Sequence, residues 1–417
     1  MPSSERSRHT RRPPRKKACN NCTKSKVRCS LERPVCSRCR STGRTCEYPT
    51  SSPPNPQASN RDPAASYLDT DICTTPRLGP VPSMPIALPF SATPSSIWSP
   101  RDLPPRNLAQ RAQRTEGLDL SEVELVPSAN AEDIRDRWLR PYILPPLGHE
   151  EIPKVYHPFT LQFISRILST YPRVMLQNGG IPPIIHHAQV EGTKMPRGLA
   201  NCYSLVRLWL QAAPGSETMV MDTLEKEMER LYEEPLEHDY EMLAAFQSYL
   251  IYTIMVYFSP HNGPSLVNDR MMITLMEMAF RTARNGLFCS AELSHTRPTW
   301  ESWIVVAAKR RAIFTMYMFS SVYNADRLLP NFVADEMRGV YAPGHKALWE
   351  ANDRDVWNRE YDRYLSQWED GILEISELWR SAKTGSIETR ERIERWSRSI
   401  DEFGMMLFSV CAHIHGC

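Results

Sequence analysis

Six cysteines stand at positions 19, 22, 29, 36, 39 and 46 of the chain. Cysteine sulfur can act as a nucleophile, a redox partner or a metal ligand, and spacing decides among these. The pattern C-x2-C-x6-C-x6-C-x2-C-x6-C is one half-motif written twice, CNNCTKSKVRC and CSRCRSTGRTC. Zinc takes four soft ligands in a tetrahedron, with Zn–S near about 2.3 Å. A pair of zinc ions needs eight ligand contacts and the cluster offers six thiolates, so two cysteines must each touch both metals. Cys19/Cys22 and Cys36/Cys39 lie about one helical turn apart and can clasp a metal from a helix start. Cys29 and Cys46 arrive from beyond each short helix. No coordination position remains for water, which makes the site structural rather than catalytic. The alternative is a one-zinc fold with spare cysteines.

The other five cysteines (Cys73, Cys202, Cys289, Cys411 and Cys417) are scattered, and the first 18 residues contain no apolar stretch of the kind that opens a secreted chain. The clustered cysteines therefore read as thiolates in a reducing compartment rather than as disulfides. Without metal, about thirty residues cannot bury enough apolar surface to fold, so metal binding and folding are one event.

The net charge of +2 hides an asymmetry. Residues 1–49 carry 14 Lys/Arg against 3 Asp/Glu, and the remainder 36 against 45. A basic head on an acidic body is the layout of a nucleic-acid reader. Lys24, Lys26 and Arg28 fall between the second and third cysteines, where a short helix could enter the major groove and offer an ammonium to a guanine edge. Arg38, Arg40 and Arg44 in the second half suit phosphate contacts. The arm RRPPRKK, which includes Arg15, Lys16 and Lys17, is broken by proline and suits a flexible segment that follows the backbone or serves in nuclear import.

The cysteine spacing over residues 19–46 resembles the fungal binuclear zinc cluster family, Zn2Cys6. The resemblance implies two Zn2+ ions, with Cys19 and Cys36 bridging, Cys22 and Cys29 completing one shell, and Cys39 and Cys46 the other. It also implies double-stranded DNA as partner, CGG-like sites, and Lys26 as the reader of guanine, with Lys24 and Arg28 on phosphates. Pro34, between the halves, fits the family's habit. Ser25 departs from it, because relatives often carry Arg or Lys there. That departure bears on the second base contact.

Thirteen of the 35 prolines fall within residues 50–106. Missing donors and sparse apolar residues read as linker. The expected organisation is a basic arm over 1–18, the cluster over 19–48, a disordered Pro/Ser-rich linker over 49–131, and an all-helical regulatory body over 132–417. The fold class is mostly α. No sustained heptad follows the cluster: Leu118, Leu120, Val123 and Leu125 make too short a run, beside Gly117. The expectation is monomeric contact with DNA, or dimerisation through the body.

Helical periodicity in the body predicts helices over 159–170, 199–212, 217–232, 239–257, 267–286, 300–323, 355–381 and 387–412. Ser216, Asp239, Thr299 and Asp353 supply start signals. Residues 242–258 carry no charge, and the reading is a buried core helix rather than a membrane span, because Gln247, Ser248 and Thr253 interrupt the stretch. Trp357, Tyr361, Tyr364, Leu365, Trp368, Ile372 and Ile375 form one apolar stripe. The segments Trp300–Phe319, Leu328–Ala351 and Asp401–Phe408 resemble the helical regulatory regions of zinc-cluster regulators encoded beside secondary-metabolite genes. Arg310 and Arg311 read as helix-surface or ion-pair residues, and Trp300 and Trp303 as core.

No Gly-rich phosphate loop, G-x-S-x-G or H-E-x-x-H occurs. His186 and His187 are adjacent and expected to point apart, and His413 and His415 lie with Cys411 and Cys417 at a tail expected to fray. These features predict a nuclear transcription regulator and not an enzyme. Co-regulators and a small-molecule effector are the further partners to seek, and a sensor or enzyme-like body with an appended zinc head is the competing reading.

Overall fold

The computed structural model describes residues 18–25, 27–32, 36–47, 118–128, 131–143, 154–191, 195–259, 266–332 and 334–416. The chain divides into two compact units, Met1–Ser95 and Ser96–Cys417. The first contains two five-residue helices, α1 (Asn20–Lys24) and α2 (Ser37–Ser41). Most of the linker expected over 49–131 lies outside the described residues, as does most of the basic arm.

The second unit is helical. Its longer helices are α3 (Ala131–Ile143), α4 (Pro158–Leu168), α5 (Arg197–Leu210), α6 (Glu217–Glu233), α7 (Asp239–Tyr257), α8 (Asp269–Arg284), α9 (Trp300–Asp326), α10 (Arg354–Gln367), α11 (Ile387–Ser397) and α12 (Glu402–His415). Among the described residues the only β pairing is two isolated bridges, Leu125 with Cys289 and Tyr341 with Glu374.

Helices α7 and α9 form the centre. Helix α7 packs on α5, α6, α8 and α9, and α9 also meets α4, α8 and α10. Burial all round α7 accounts for its uncharged stretch. The side chains that interrupted that stretch are bonded inside: Gln247 donates to the Ile184 carbonyl and accepts from Gln189, while Ser248 and Thr253 donate back to the carbonyls of Ala244 and Tyr249. Among the described residues, no helix is long and apolar enough to cross a membrane.

Thr299 caps α9 by accepting from the Ser302 amide, and Asp353 caps α10 by accepting from the Val356 amide. Trp300 and Trp303 are core. Two predicted helices are shorter than their patterns. The one expected over 355–381 ends at Gln367, because the chain turns at Gly371 with φ +94°. Trp368, Ile372 and Ile375 remain buried beyond that end, so the stripe continues on non-helical backbone. The one expected over 387–412 is two helices, since Asp401 starts α12 afresh by accepting from the Gly404 amide at 3.0 Å. Helix α12 runs to His415, and His413 lies 3.3 Å from the Thr160 hydroxyl, so the described tail is packed helix rather than frayed.

The surface half of the expectation for Arg310 and Arg311 is corrected. Both are buried, as is Lys309 before them. Successive helical residues diverge by about 100°, so the three cations leave α9 in three directions. Lys309 reaches Asp239 at the start of α7, Arg310 reaches Glu292 at 2.6 Å, and Arg311 reaches Asp401 at 2.7 Å. Arg311 also lies over the Trp349 ring, 3.8 Å from its centroid. His186 and His187 do not point apart: their rings lie 4.2 Å centroid to centroid. The segment is a turn entering the short helix Ala188–Glu191, not a regular element, so neighbouring side chains can share a side.

The expected linker also ends earlier than predicted. Residues 118–128 lie along the body, with Leu120 buried in the core and Leu118, Val123 and Leu125 packed against it. Val126 donates to the Phe288 carbonyl at 2.9 Å, and Ser128 to the Arg284 carbonyl at 3.0 Å. The apolar residues too few for a coiled coil are enough for a strap.

Candidate metal centre and nucleic-acid interface

The head is two copies of one backbone, offset by 17 residues, the separation of Cys19 and Cys36. Cys19 (φ −68°, ψ 154°) and Cys36 (φ −67°, ψ 151°) stand before α1 and α2 in matching extended conformations. The bonds repeat with them. Thr23 donates to the Cys19 carbonyl and Arg40 to that of Cys36, both at 3.0 Å. Val27 donates to the Cys22 carbonyl at 3.1 Å and Arg44 to that of Cys39 at 3.0 Å.

The halves are also tied to each other. The Asn20 amide donates to the Glu47 carbonyl at 2.8 Å, and the Ser37 amide donates to the Ser30 hydroxyl at 2.9 Å. Each bond runs from the residue after a half's first cysteine to the residue after the other half's third. Sequence reading missed this reciprocity. Its signal was present, because the same offset relates Asn20 to Ser37 and Ser30 to Glu47.

The sulfurs fit the metal. Cys19, Cys22, Cys36 and Cys39 are buried, and their sulfurs lie within 4.8 Å of one another. A ZnS4 tetrahedron with Zn–S bonds near 2.3 Å has S···S edges of about 3.8 Å. Cys19 lies 3.8 Å from Cys36 and 3.9 Å from Cys39, and Cys22 lies 3.7 Å from Cys36. Cys19 and Cys36 thus stand at edge distance from each other and each from a cysteine of the opposite half. Cys29 and Cys46 are half-buried beside this group. The Cys46 sulfur accepts from the Cys36 amide at 3.3 Å.

The electrostatics separate the cysteines. The Cys22 amide lowers the Cys19 thiol to about 6, and the Cys39 amide lowers that of Cys36. Burial raises the Cys22 thiol to about 12 and raises that of Cys39. Thiols held up by burial are the ones a coordinating cation must deprotonate.

Lys24 closes α1, Arg38 and Arg40 lie in α2, and Arg28 and Arg44 lie just beyond each helix; all five are exposed. Lys26, Arg15, Lys16 and Lys17, and likewise Pro34, lie outside the described residues.

The family model for the "Fungal Zn(2)-Cys(6) binuclear cluster domain" matches residues 17–55. The chain is 41% identical over 97 residues to the "Geodin cluster transcription factor" of Aspergillus terreus, a match covering 22% of this chain and 41% of that protein. It is 48% identical over 44 residues to the "Trypacidin cluster transcription factor" of Aspergillus fumigatus, covering 11% of each. It is 48% identical over 44 residues to "Pestheic acid cluster transcriptional regulator 2" of Pestalotiopsis fici, covering 11% of this chain and 10% of that protein. The matches therefore span less than half the length of these relatives. No solved structure matches. Residues 17–55, whose doubled backbone and sulfur spacing suit two zinc ions, are a fungal Zn2Cys6 binuclear cluster domain, and the relatives that share it are cluster transcription regulators.

Proposed function

We propose that this chain is a sequence-specific, nuclear regulator of RNA polymerase II transcription that acts on CGG-like sites and controls a secondary-metabolite gene cluster. The observation carrying the reading is the head itself. Buried sulfurs at zinc-tetrahedron spacing hold two short helices that expose Lys24, Arg38 and Arg40 and carry no acidic residue. The relatives' names, each of which refers to a cluster regulator, support the pathway level.

In this reading Cys19 and Cys36 bridge the two ions, Cys22 and Cys29 complete one shell, and Cys39 and Cys46 the other. When bound, zinc supplies the folding free energy of the head and takes no part in chemistry. The chain's own residues do the reading. Lys26 addresses guanine, Lys24 and Arg28 sit on phosphates, and Arg38 and Arg40 hold the flanking backbone, with Arg15, Lys16 and Lys17 as an accessory arm. Co-regulators would meet the helical body, which acts in regulation rather than catalysis.

Selection of bound sequences from random duplex DNA by the full-length, zinc-loaded protein tests this. Enrichment of a CGG-like triplet is the expected outcome. Recovery of unrelated sequences, or no enrichment over input, would overturn it.

A further inference from the structure

Where α6, the connection after it, and helices α7 and α8 meet, the surface opens into a groove of 370 Å³. Its floor is apolar: Leu231, Leu236, Met242, Ala245 and Met278. Methionine is unbranched and polarizable, and its presence in a groove suits the uptake of apolar side chains of varied shape. At one end Arg281 lies over the Tyr232 ring, 4.5 Å from its centroid, and donates to the Tyr232 carbonyl at 2.9 Å. That guanidinium is already engaged.

The rim carries the opposite charge. Glu233 and Glu234 line it, and the flanking segment 217–241 holds ten Asp/Glu and two Lys/Arg. Three of the ten meet cations: Glu227 and Glu234 pair with Arg230, and Asp239 with Lys309. Glu229, Glu233, Glu237 and Glu241 are exposed. Helix α6 also directs its C-terminal end, the negative pole of its dipole, at the groove. No buried unpartnered side-chain polar atom among the described residues belongs to the lining.

We propose that this groove docks a short cationic helix with one apolar face, supplied by a partner protein. Leucine-like side chains would enter between Met242 and Met278, while lysines or arginines on the flanks meet Glu233 and Glu237. An apolar helix stripe laid into a hydrophobic groove is a recurrent recognition mode, and an acidic rim selects basic partners and speeds their arrival. The same rim repels nucleic acid, so the surface is separate in kind from the cationic head. The proposal does not depend on what the head binds.

The test uses the full-length zinc-loaded protein and a labelled synthetic peptide of about 15 residues, with leucines at i, i+3/i+4 and i+7 and lysines elsewhere. A control peptide has the same composition with the leucines scattered. Fluorescence anisotropy should show binding of the amphipathic peptide at least about tenfold tighter than the control, weakening as salt rises. Glu233→Lys with Glu237→Lys should weaken it about tenfold and flatten the salt dependence. Met242→Lys should weaken it similarly by placing a like charge in the floor. Glu233 and Glu237 are exposed and Met242 is half-buried, and unchanged circular dichroism and zinc content show that the fold survives. Equal affinity for the two peptides, no binding, or variants that bind like the parent would each overturn the proposal. Tight binding of a neutral apolar probe that ignores the charge reversals would also overturn it, because it would make the groove a small-molecule site.

Discussion

The carbonyl oxygen of Val126 lies where a side chain on Gly286 would begin: a Cβ built on that glycine falls 2.3 Å from it. Gly286 has φ +118°, a conformation other residues rarely adopt. The strap 118–128 is thus seated on the body by a position that only glycine fits. Cations of α9 support that seat from beneath. Lys309 lies 3.4 Å from the Gly286 carbonyl, and Arg310 holds Glu292, whose carboxylate accepts from the Cys289 amide at 3.1 Å.

Gly286→Ala should unseat the strap. The backbone strain alone costs on the order of 1–3 kcal/mol, and the clash adds to it. Amide hydrogen exchange should show faster exchange at Val126 and Ser128, with the midpoint of thermal unfolding of the body lowered. Unchanged protection of the strap would contradict this account.

Metal content should follow the bridging assignment. Native mass spectrometry of the parent chain should find two zinc ions. Cys19→Ser or Cys36→Ser should lose both, because under that assignment each sulfur would serve both shells, whereas Cys29→Ser or Cys46→Ser should weaken one. Chelation should unfold the head and abolish DNA binding while leaving the helical signal of the body. Loss of one ion from the Cys19 variant would reassign the bridge.

Two lysines of the head should behave differently on DNA. Lys26→Ala should cost about 1–3 kcal/mol on the preferred site and relax sequence preference. Lys24→Ala should weaken all sequences alike and lower the salt slope by about one. Titrations on matched and mismatched duplexes at several salt concentrations separate the two, and identical behaviour would remove the division between base and phosphate contact.

Arg311→Met should destabilise the body by about 3–5 kcal/mol, since it leaves the Asp401 carboxylate buried without a counter-charge. Arg311→Met combined with Asp401→Asn should recover a good part of that loss. Asparagine removes the stranded charge and can still accept from the Gly404 amide to start α12. Urea unfolding of both variants measures the difference. A double variant no more stable than the single one would show that packing over Trp349 matters more than charge.

His345 gives the body an acid-sensitive element. Burial depresses its imidazole to about 4, and its Nε2 accepts from the Trp368 indole at 3.2 Å, which requires the neutral ring. The unfolded chain takes up this proton near about pH 6.5, while the folded chain resists until about pH 4. Its contribution is therefore intact above pH about 6.5, declines as pH falls, and levels off below about 4. His186, fully buried and pushed well below its ordinary value by burial, acts in the same sense. His345→Gln should flatten the fall in urea midpoint between about pH 7 and 5, and an unaltered slope would exclude His345 as a source.

The head was legible because metal coordination is unforgiving: six cysteines at symmetric spacing admit few geometries, and the doubled half-motif reappears as a doubled backbone. Most helices were legible for a different reason. Thr299 and Asp353 bring their own caps, and α7 brings an apolar stretch that only a core can absorb. The pattern failed where side chains serve the core without helical backbone beneath them. Trp368 and Ile372 sit on the expected stripe, but periodicity cannot see the turn at Gly371. Asp401 looked like one acid within a continuing helix, whereas its side chain starts a new one and answers Arg311. The buried state of Arg310 and Arg311 was hidden because their counter-charges, Glu292 and Asp401, lie 18 and 90 residues away. The groove beside α6 could not be read either, since its walls come from three helices and show no local motif.

The sequence Lys309-Arg310-Arg311 makes the length of α9 a fixed quantity. Inserting or deleting one residue ahead of it would swing all three side chains together by about 100°, breaking the holds on α7, on the turn beneath the strap and on the start of α12 in one stroke. Surviving variants of this body should therefore gain and lose residues in its connections, and keep the register of this one rod unchanged.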